Sequence, residues 1–208
     1  ASVTQASDRA ARGIVVIATS LGGLDAATAV LADLPANFPL PIALVLHRGP
    51  ALPEMLGEIL RERTALHVRL ARAGEPVVPG TVYVAEPTLH LTVSDAVNFA
   101  LTSGSLINFV RSSADPLFTS AAHVYGANTV AVVLTGSGRD GAEGARAVGL
   151  AGGTVIVQNE ATSMAFGMPH AAILTGAVTA VLPLGEIGPA LTVLAVGGAS
   201  PRATASSS

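Results

Sequence analysis

Four stretches of this chain are continuous runs of small or branched apolar residues: Ile14–Ala18, Pro41–Leu46, Thr129–Leu134 and Thr154–Val157. A strand with one wet face alternates apolar and polar residues, whereas a run without alternation suits a strand covered on both sides. Between the runs, apolar residues recur at helical spacing, as in Leu24, Ala27, Val30, Leu31 and Leu34. Further helical patterns cover 115–125, 143–150, 169–174 and 186–196, and Ala177–Leu182 reads as one more strand. Alternating strands and helices predict an α/β fold: a doubly wound, mostly parallel sheet with helices on both faces. The pattern changes from His67 to Leu101, where Val77–Val78, Thr81–Ala85, His90–Val93 and Asn98–Leu101 are cut by the turn pairs Pro79-Gly80 and Ser94-Asp95. This predicts a small, partly antiparallel strand-rich insertion. Leu52–Arg63 reads as an amphipathic helix whose Glu54, Glu58 and Glu62 alternate with arginines on a solvated face. The expected organisation is a tail or linker over 1–12, one domain over 13–196, and a disordered low-complexity tail over 197–208.

Half of the 208 residues are hydrophobic, enough for a sizeable core, and 12% are charged. The mean hydropathy of +0.58 raises the question of a membrane span. Gly176, Pro183, Gly185, Gly188 and Pro189 interrupt the charge-poor C-terminal third, so no apolar stretch approaches the roughly 18–20 residues of a transmembrane helix. A net charge of −3 and 3% aromatic residues give nucleic acid neither cations nor stacking rings. The absence of Cys excludes disulfides, thiolate metal sites and cysteine nucleophiles. No secretory leader is visible at the polar start of the chain, and a cytoplasmic location is expected.

In a doubly wound sheet, ligands bind at the carboxyl ends of the strands. Ser20 follows the first strand, His47 the second, and Asp140 lies in the glycine-rich turn after Thr129–Leu134. A serine nucleophile needs a base to take its proton, and the base needs a partner to orient it and stabilise its cation. The three residues supply those groups, in an order along the chain that differs from that of α/β-hydrolases, and without their Gly-x-Ser-x-Gly elbow. Each also has a plainer reading. Ser20 could cap the helix that follows it, Asp140 could cap the helix after Gly141, and His47 could be a core or surface residue. A phosphate site is a further possibility for the Ser20 turn, but Thr19–Gly23 matches neither dinucleotide nor Walker patterns. His67, His90, His123 and His170 are scattered without metal-ligand spacing and read as structural, so no metal or cofactor is expected.

At these residues the chain resembles the catalytic domain of the bacterial chemotaxis protein-glutamate methylesterases, the CheB type. The resemblance rests on Ile17–Gly23, on Val45-Leu46-His47, on Val133–Ala142, and on Gln158–Ser163 followed by Phe166–Pro169, with a weaker match over Arg111–Phe118. It implies hydrolysis of γ-glutamyl methyl esters, and deamidation of glutamine, on the cytoplasmic signalling helices of methylated chemoreceptors. Carried over to this chain, Ser20 is the nucleophile, His47 the base and then acid, and Asp140 the orienting carboxylate. The backbone at Leu21 and Ser137 would hold the oxyanion, and Gly22, Gly23, Arg48 and Thr135 would meet substrate. No metal or cofactor is implied. Leu21 and Ser137 replace the family's usual Thr and Met, and His47-Arg48-Gly49-Pro50 replaces a more usual His-Met-Pro. The 208 residues leave no room for the receiver domain that many members carry. Two competing readings keep the fold: a catalytically silent docking module, and a serine esterase or amidase with another substrate.

Overall fold

A computed structural model of the chain describes residues 11–47 and 53–197. The elements run β1 (Ile14–Thr19), α1 (Gly23–Ala32), β2 (Ile42–Leu46), α2 (Pro53–Arg63), β3 (His67–Leu70), β4 (Thr81–Val84), β5 (His90–Val93) and β6 (Phe99–Thr102). They continue with α3 (Ala114–Tyr125), β7 (Thr129–Val133), α4 (Ala142–Leu150), β8 (Thr154–Gln158), α5 (Gly167–Leu174), β9 (Ala180–Leu182) and α6 (Leu184–Ala195). The expected terminal tails and the loop after His47 fall largely on residues outside those described.

Seven strands form one sheet in the order β3-β4-β2-β1-β7-β8-β9, and every pairing in it is parallel. The unalternated runs are explained by what covers them. In β1, Ile14, Val16 and Ala18 point into a core shared with α3, α4 and α5, while Val15 and Ile17 point into a second core shared with α1, α2 and α6. Successive side chains on a strand face opposite ways, so a strand between two helical layers has no wet face to mark with polar residues. A slip of one residue would exchange the two faces, which fixes the register Ile17↔Leu44 and Ile17↔Val132.

The insertion is smaller than the sequence predicts. Thr81–Val84 extends the main sheet by pairing in parallel with β2, and His67–Leu70 forms its edge. Among the described strands, β5 and β6 alone pair antiparallel. Val77–Val78 forms no strand: Val77 N–H donates to Val97 O beside a single Pro76–Asn98 bridge. The two-stranded sheet packs Leu91, Val93 and Phe99 into the core beneath α3. None of the described helices is long and apolar enough to cross a membrane.

The connection through α1 leads from β1 to β2, and α4 leads from β7 to β8 on the other side. The strand order therefore diverges between β1 and β7, the position at whose carboxyl ends doubly wound sheets bind ligands. At the amino ends of the strands, Ala11–Gly13 and Leu194–Gly197 line one shared cavity.

Candidate active site

Three neighbouring strands deliver the predicted trio. Thr19 pairs with Leu46, so Ser20 and His47 leave β1 and β2 at the same level, and the His47 N–H donates to Thr19 O at 2.9 Å. On the other side, Leu134 N–H donates to Ala18 O at 2.9 Å and Ser20 N–H to Thr135 O at 3.0 Å. These bonds prolong the β1–β7 ladder and fix the Ser20 backbone. Thr19 Oγ1 donates to the same Thr135 carbonyl at 2.7 Å.

His47 Nε2 lies 2.8 Å from Asp140 Oδ2. The oxygen sits off the ring's N–H direction, so the contact has the distance of a hydrogen bond without its alignment. The ring tip meets the carboxylate, and Nδ1 has no hydrogen-bond partner among the described residues. No hydrogen bond joins Ser20 Oγ to the ring among the described residues.

Asp140 is buried, and both its oxygens are occupied. Oδ2 also accepts the Ala114 N–H at 2.7 Å, while Oδ1 accepts Ser113 Oγ–H and, at 3.2 Å, Asn108 Nδ2. Burial alone would push the Asp140 carboxyl up. The close approach and charge of His47, with the bonds from Ala114 and Ser113, outweigh burial and hold it below its ordinary range.

Both capping alternatives fail on geometry. The residue before α1 is Gly22, with φ 76° and no side-chain cap, so Ser20 is not spent on that helix. The residue before α4 is Gly141, also without a side-chain cap. Asp140 instead caps α3, through Ala114.

Some expected substrate contacts are turned inward. Thr135 is 2% exposed; its hydroxyl donates to Leu21 O at 2.9 Å and accepts the Ala165 N–H at 3.0 Å. It ties three loops together rather than facing solvent. A Cβ on Gly22 would come within 2.8 Å of Met164 Cβ, and a Cβ on buried Gly23 within 2.7 Å of Leu46 and Thr19 side-chain carbons. The space made by the glycine pair is filled by this chain's own side chains. Arg48 lies outside the described residues. The Leu21 and Ser137 N–H groups meet no acceptor among the described residues. The glycine-rich turn between them is held by Gln158, whose Oε1 accepts Thr135 N–H at 2.8 Å while Nε2 donates to Thr162 O at 2.8 Å.

A family model described as CheB methylesterase matches residues 15–191. This chain belongs to the CheB methylesterase family. The CheB-type relatives include protein-glutamate methylesterase/protein-glutamine glutaminase 2 of Caulobacter vibrioides, 44% identical over 179 residues that cover 84% of this chain and 52% of the relative. The Anaeromyxobacter dehalogenans protein of the same description is 46% identical over 187 residues, covering 89% of this chain and 54% of that one. The chain thus spans about half the length of the curated relatives it matches. The crystal structure of the Thermotoga maritima CheB methylesterase catalytic domain superposes with a TM-score of 0.85 at 39% identity, covering 88% of this chain and 98% of that one.

Within this CheB-type domain, the sequence did not single out Asn108, Ser113 or His90 as parts of the site. His90, read as structural, is buried: Nε2 bonds Ser105 O at 2.9 Å, and Nδ1 accepts the Ser113 N–H at 3.1 Å. It fixes the backbone of the serine that bonds Asp140. Ser113 and Asp115 lie in the weaker matching segment, which carried no assigned role. His123 is exposed and pairs with Asp95, consistent with a surface histidine. Among the described residues, no group of three or more His, Asp or Glu is placed to hold a metal ion.

Proposed function

We propose that this domain is a protein-glutamate methylesterase that hydrolyses γ-glutamyl methyl esters on chemoreceptor signalling helices, and deamidates glutamine there. The observation that supports it best is the buried Asp140 held 2.8 Å from a histidine that leaves the sheet level with Ser20. In this reading Ser20 Oγ attacks the ester carbonyl as His47 Nδ1 takes its proton. The tetrahedral oxyanion rests on the Leu21 and Ser137 N–H groups, each donor worth about 3 kcal/mol. The imidazolium returns its proton to the departing methoxide, and methanol leaves. A water deprotonated by His47 then cleaves the glutamyl-Ser20 ester, releasing glutamate and restoring the serine. Asp140 stabilises the imidazolium and keeps the ring aimed. Arg48, beside the base in sequence, is assigned to substrate contact.

The test is methanol release from methylated receptor together with fluorophosphonate labelling. Ser20→Ala should abolish both. Release undiminished in Ser20→Ala overturns the serine mechanism. A parent protein that neither labels nor releases methanol is a docking module instead. Labelling and simple-ester hydrolysis without receptor demethylation would assign another substrate.

A further inference from the structure

The proposed mechanism uses one buried carboxylate, but the site contains two. Asp115, in the first turn of α3, is also buried; its Oδ1 accepts Gly144 N–H at 2.8 Å. Its Oδ2 accepts Asn108 Nδ2 at 2.7 Å, and the same nitrogen donates to Asp140 Oδ1 at 3.2 Å. Two carboxylates in a low-dielectric interior repel each other, and the repulsion favours protonating one of them. Protonating Asp140 would deprive His47 of its anionic partner.

From this arrangement we infer that Asn108 is a positioning residue: its single side-chain amide clamps Asp140 and Asp115 together and keeps Asp140 anionic and aimed at His47. The inference rests on the methylesterase reading above.

Asparagine suits the position on three counts. Its –NH₂ offers two donors, one for each carboxylate, and the amide must present nitrogen because its oxygen would face two anions. It carries no charge, so it does not compete with His47 as a counter-ion. It also tolerates the left-handed backbone required there, with φ 51°. That backbone belongs to a tight turn in which Ile107 and Val110 exchange N–H···O bonds of 3.2 and 2.9 Å. The neighbours Leu106 and Phe109 point outward, 58% and 97% exposed, while the Asn108 side chain reaches in to the carboxylates.

The other charged groups acting on the pair are His47, which favours ionised Asp140, and Glu143, which disfavours ionised Asp115. Burial is the largest influence on Asp115, and with the charge of Asp140 it leaves that carboxyl above its ordinary range despite the bonds from Gly144 and Asn108. The neighbour therefore takes up protons more readily than Asp140, which is the division of labour the clamp requires.

Asn108→Gly preserves the left-handed backbone and removes both donors. Its kcat on methylated receptor should fall between about tenfold and a hundredfold while KM stays within about twofold. The Asp140 carboxyl midpoint, followed by carbon NMR, should rise by about one pH unit. Adding Asp115→Asn to Asn108→Gly removes the repulsion and should bring the midpoint and kcat back toward the parent's values. Asn108→Gly with parental kcat and midpoint overturns the inference. So does a double variant no better than the single one, which would assign Asn108 to holding the turn alone. The midpoint is read without turnover, so a shifted midpoint in a protein that releases no methanol leaves the clamp standing and removes the methylesterase reading. Normal methanol release with an unaffected Asn108→Gly does the reverse.

Discussion

Asp140 and Asp115 cap each other's helices. Asp140, just before α4, accepts the N–H of Ala114 at the start of α3, and Asp115, within α3, accepts the N–H of Gly144 in α4. Each carboxylate thus sits at the positive amino end of the opposite helix, where the unpaired N–H groups stabilise anions. The two helix starts come close because Gly144 has no side chain: a Cβ there would lie 3.2 Å from the Asp115 Cα and press on Phe118. Packing between two helices therefore fixes the position of the acid behind His47.

Replacing Asp140 tests this coupling of stability and chemistry. If Asp140 orients the base as proposed, Asp140→Asn should lower kcat by about 10⁴-fold. The folded carboxyl titrates below its ordinary value, so its contribution to stability is present above the ordinary carboxylate range and is lost as pH falls through the lower folded value. Asp115 runs the other way: its raised value makes its ionisation cost stability as pH rises. Urea unfolding of parent and Asp140→Asn should differ most at neutral pH and converge as pH falls below the ordinary carboxylate range. A difference that stays constant to acid pH would exclude Asp140 as its source.

Gly136 should be nearly irreplaceable. A Cβ there would stand 2.9 Å from Ser20 Cβ and 3.1 Å from Ser20 N, and would overlap the Met168 sulfur. Gly136→Ala should cost about a hundredfold in kcat if Ser20 is the nucleophile, as proposed, since a displacement of about 1 Å suffices for that. Gly185→Ala is the matched control: it lies in the first turn of α6 with open space around its Cβ position, and should raise stability by about 0.4–1 kcal/mol. Steady-state rates and thermal melts of both variants decide the point.

Gln158 should act through stability first. It is fully buried, and Gln158→Leu strands the Thr135 N–H and removes a donor from Thr162 O. The expected loss is about 1–3 kcal/mol in chemical denaturation. Gln158→Glu keeps the acceptor for Thr135 and should restore part of the loss. Equal destabilisation by both variants would place the important bond at Thr162.

The elements the sequence reveals best are those with the least ambiguous environment. β1, β2 and β7 are continuous apolar runs because both faces are covered, and their carboxyl ends point directly to Ser20, His47 and the Asp140 turn. β3 and β4 are harder to assign: each is four residues long, and His67 and Arg69 on β3 are exposed, the mark of a sheet edge rather than of a separate insertion. Asp140 is recognisable as a capping residue, but the helix it caps begins 26 positions earlier. Asn108 and Ser113 reach Asp140 across 32 and 27 residues, and His90 reaches Ser113 across 23, distances at which no local pattern reports a contact. Gly22 and Gly23 advertise room, but only the folded chain shows that Met164, Thr19 and Leu46 take it up.

The cavity shared by Ala11–Gly13 and Leu194–Gly197 brings the two ends of the described domain together, at the amino ends of the strands, opposite Ser20. A short peptide could bridge those ends, and the chain could be reopened at the exposed Ser103–Ser105 segment, giving a circular permutant with the same sheet order. Neither the splice nor the new break would touch the strand ends that carry Ser20 and His47.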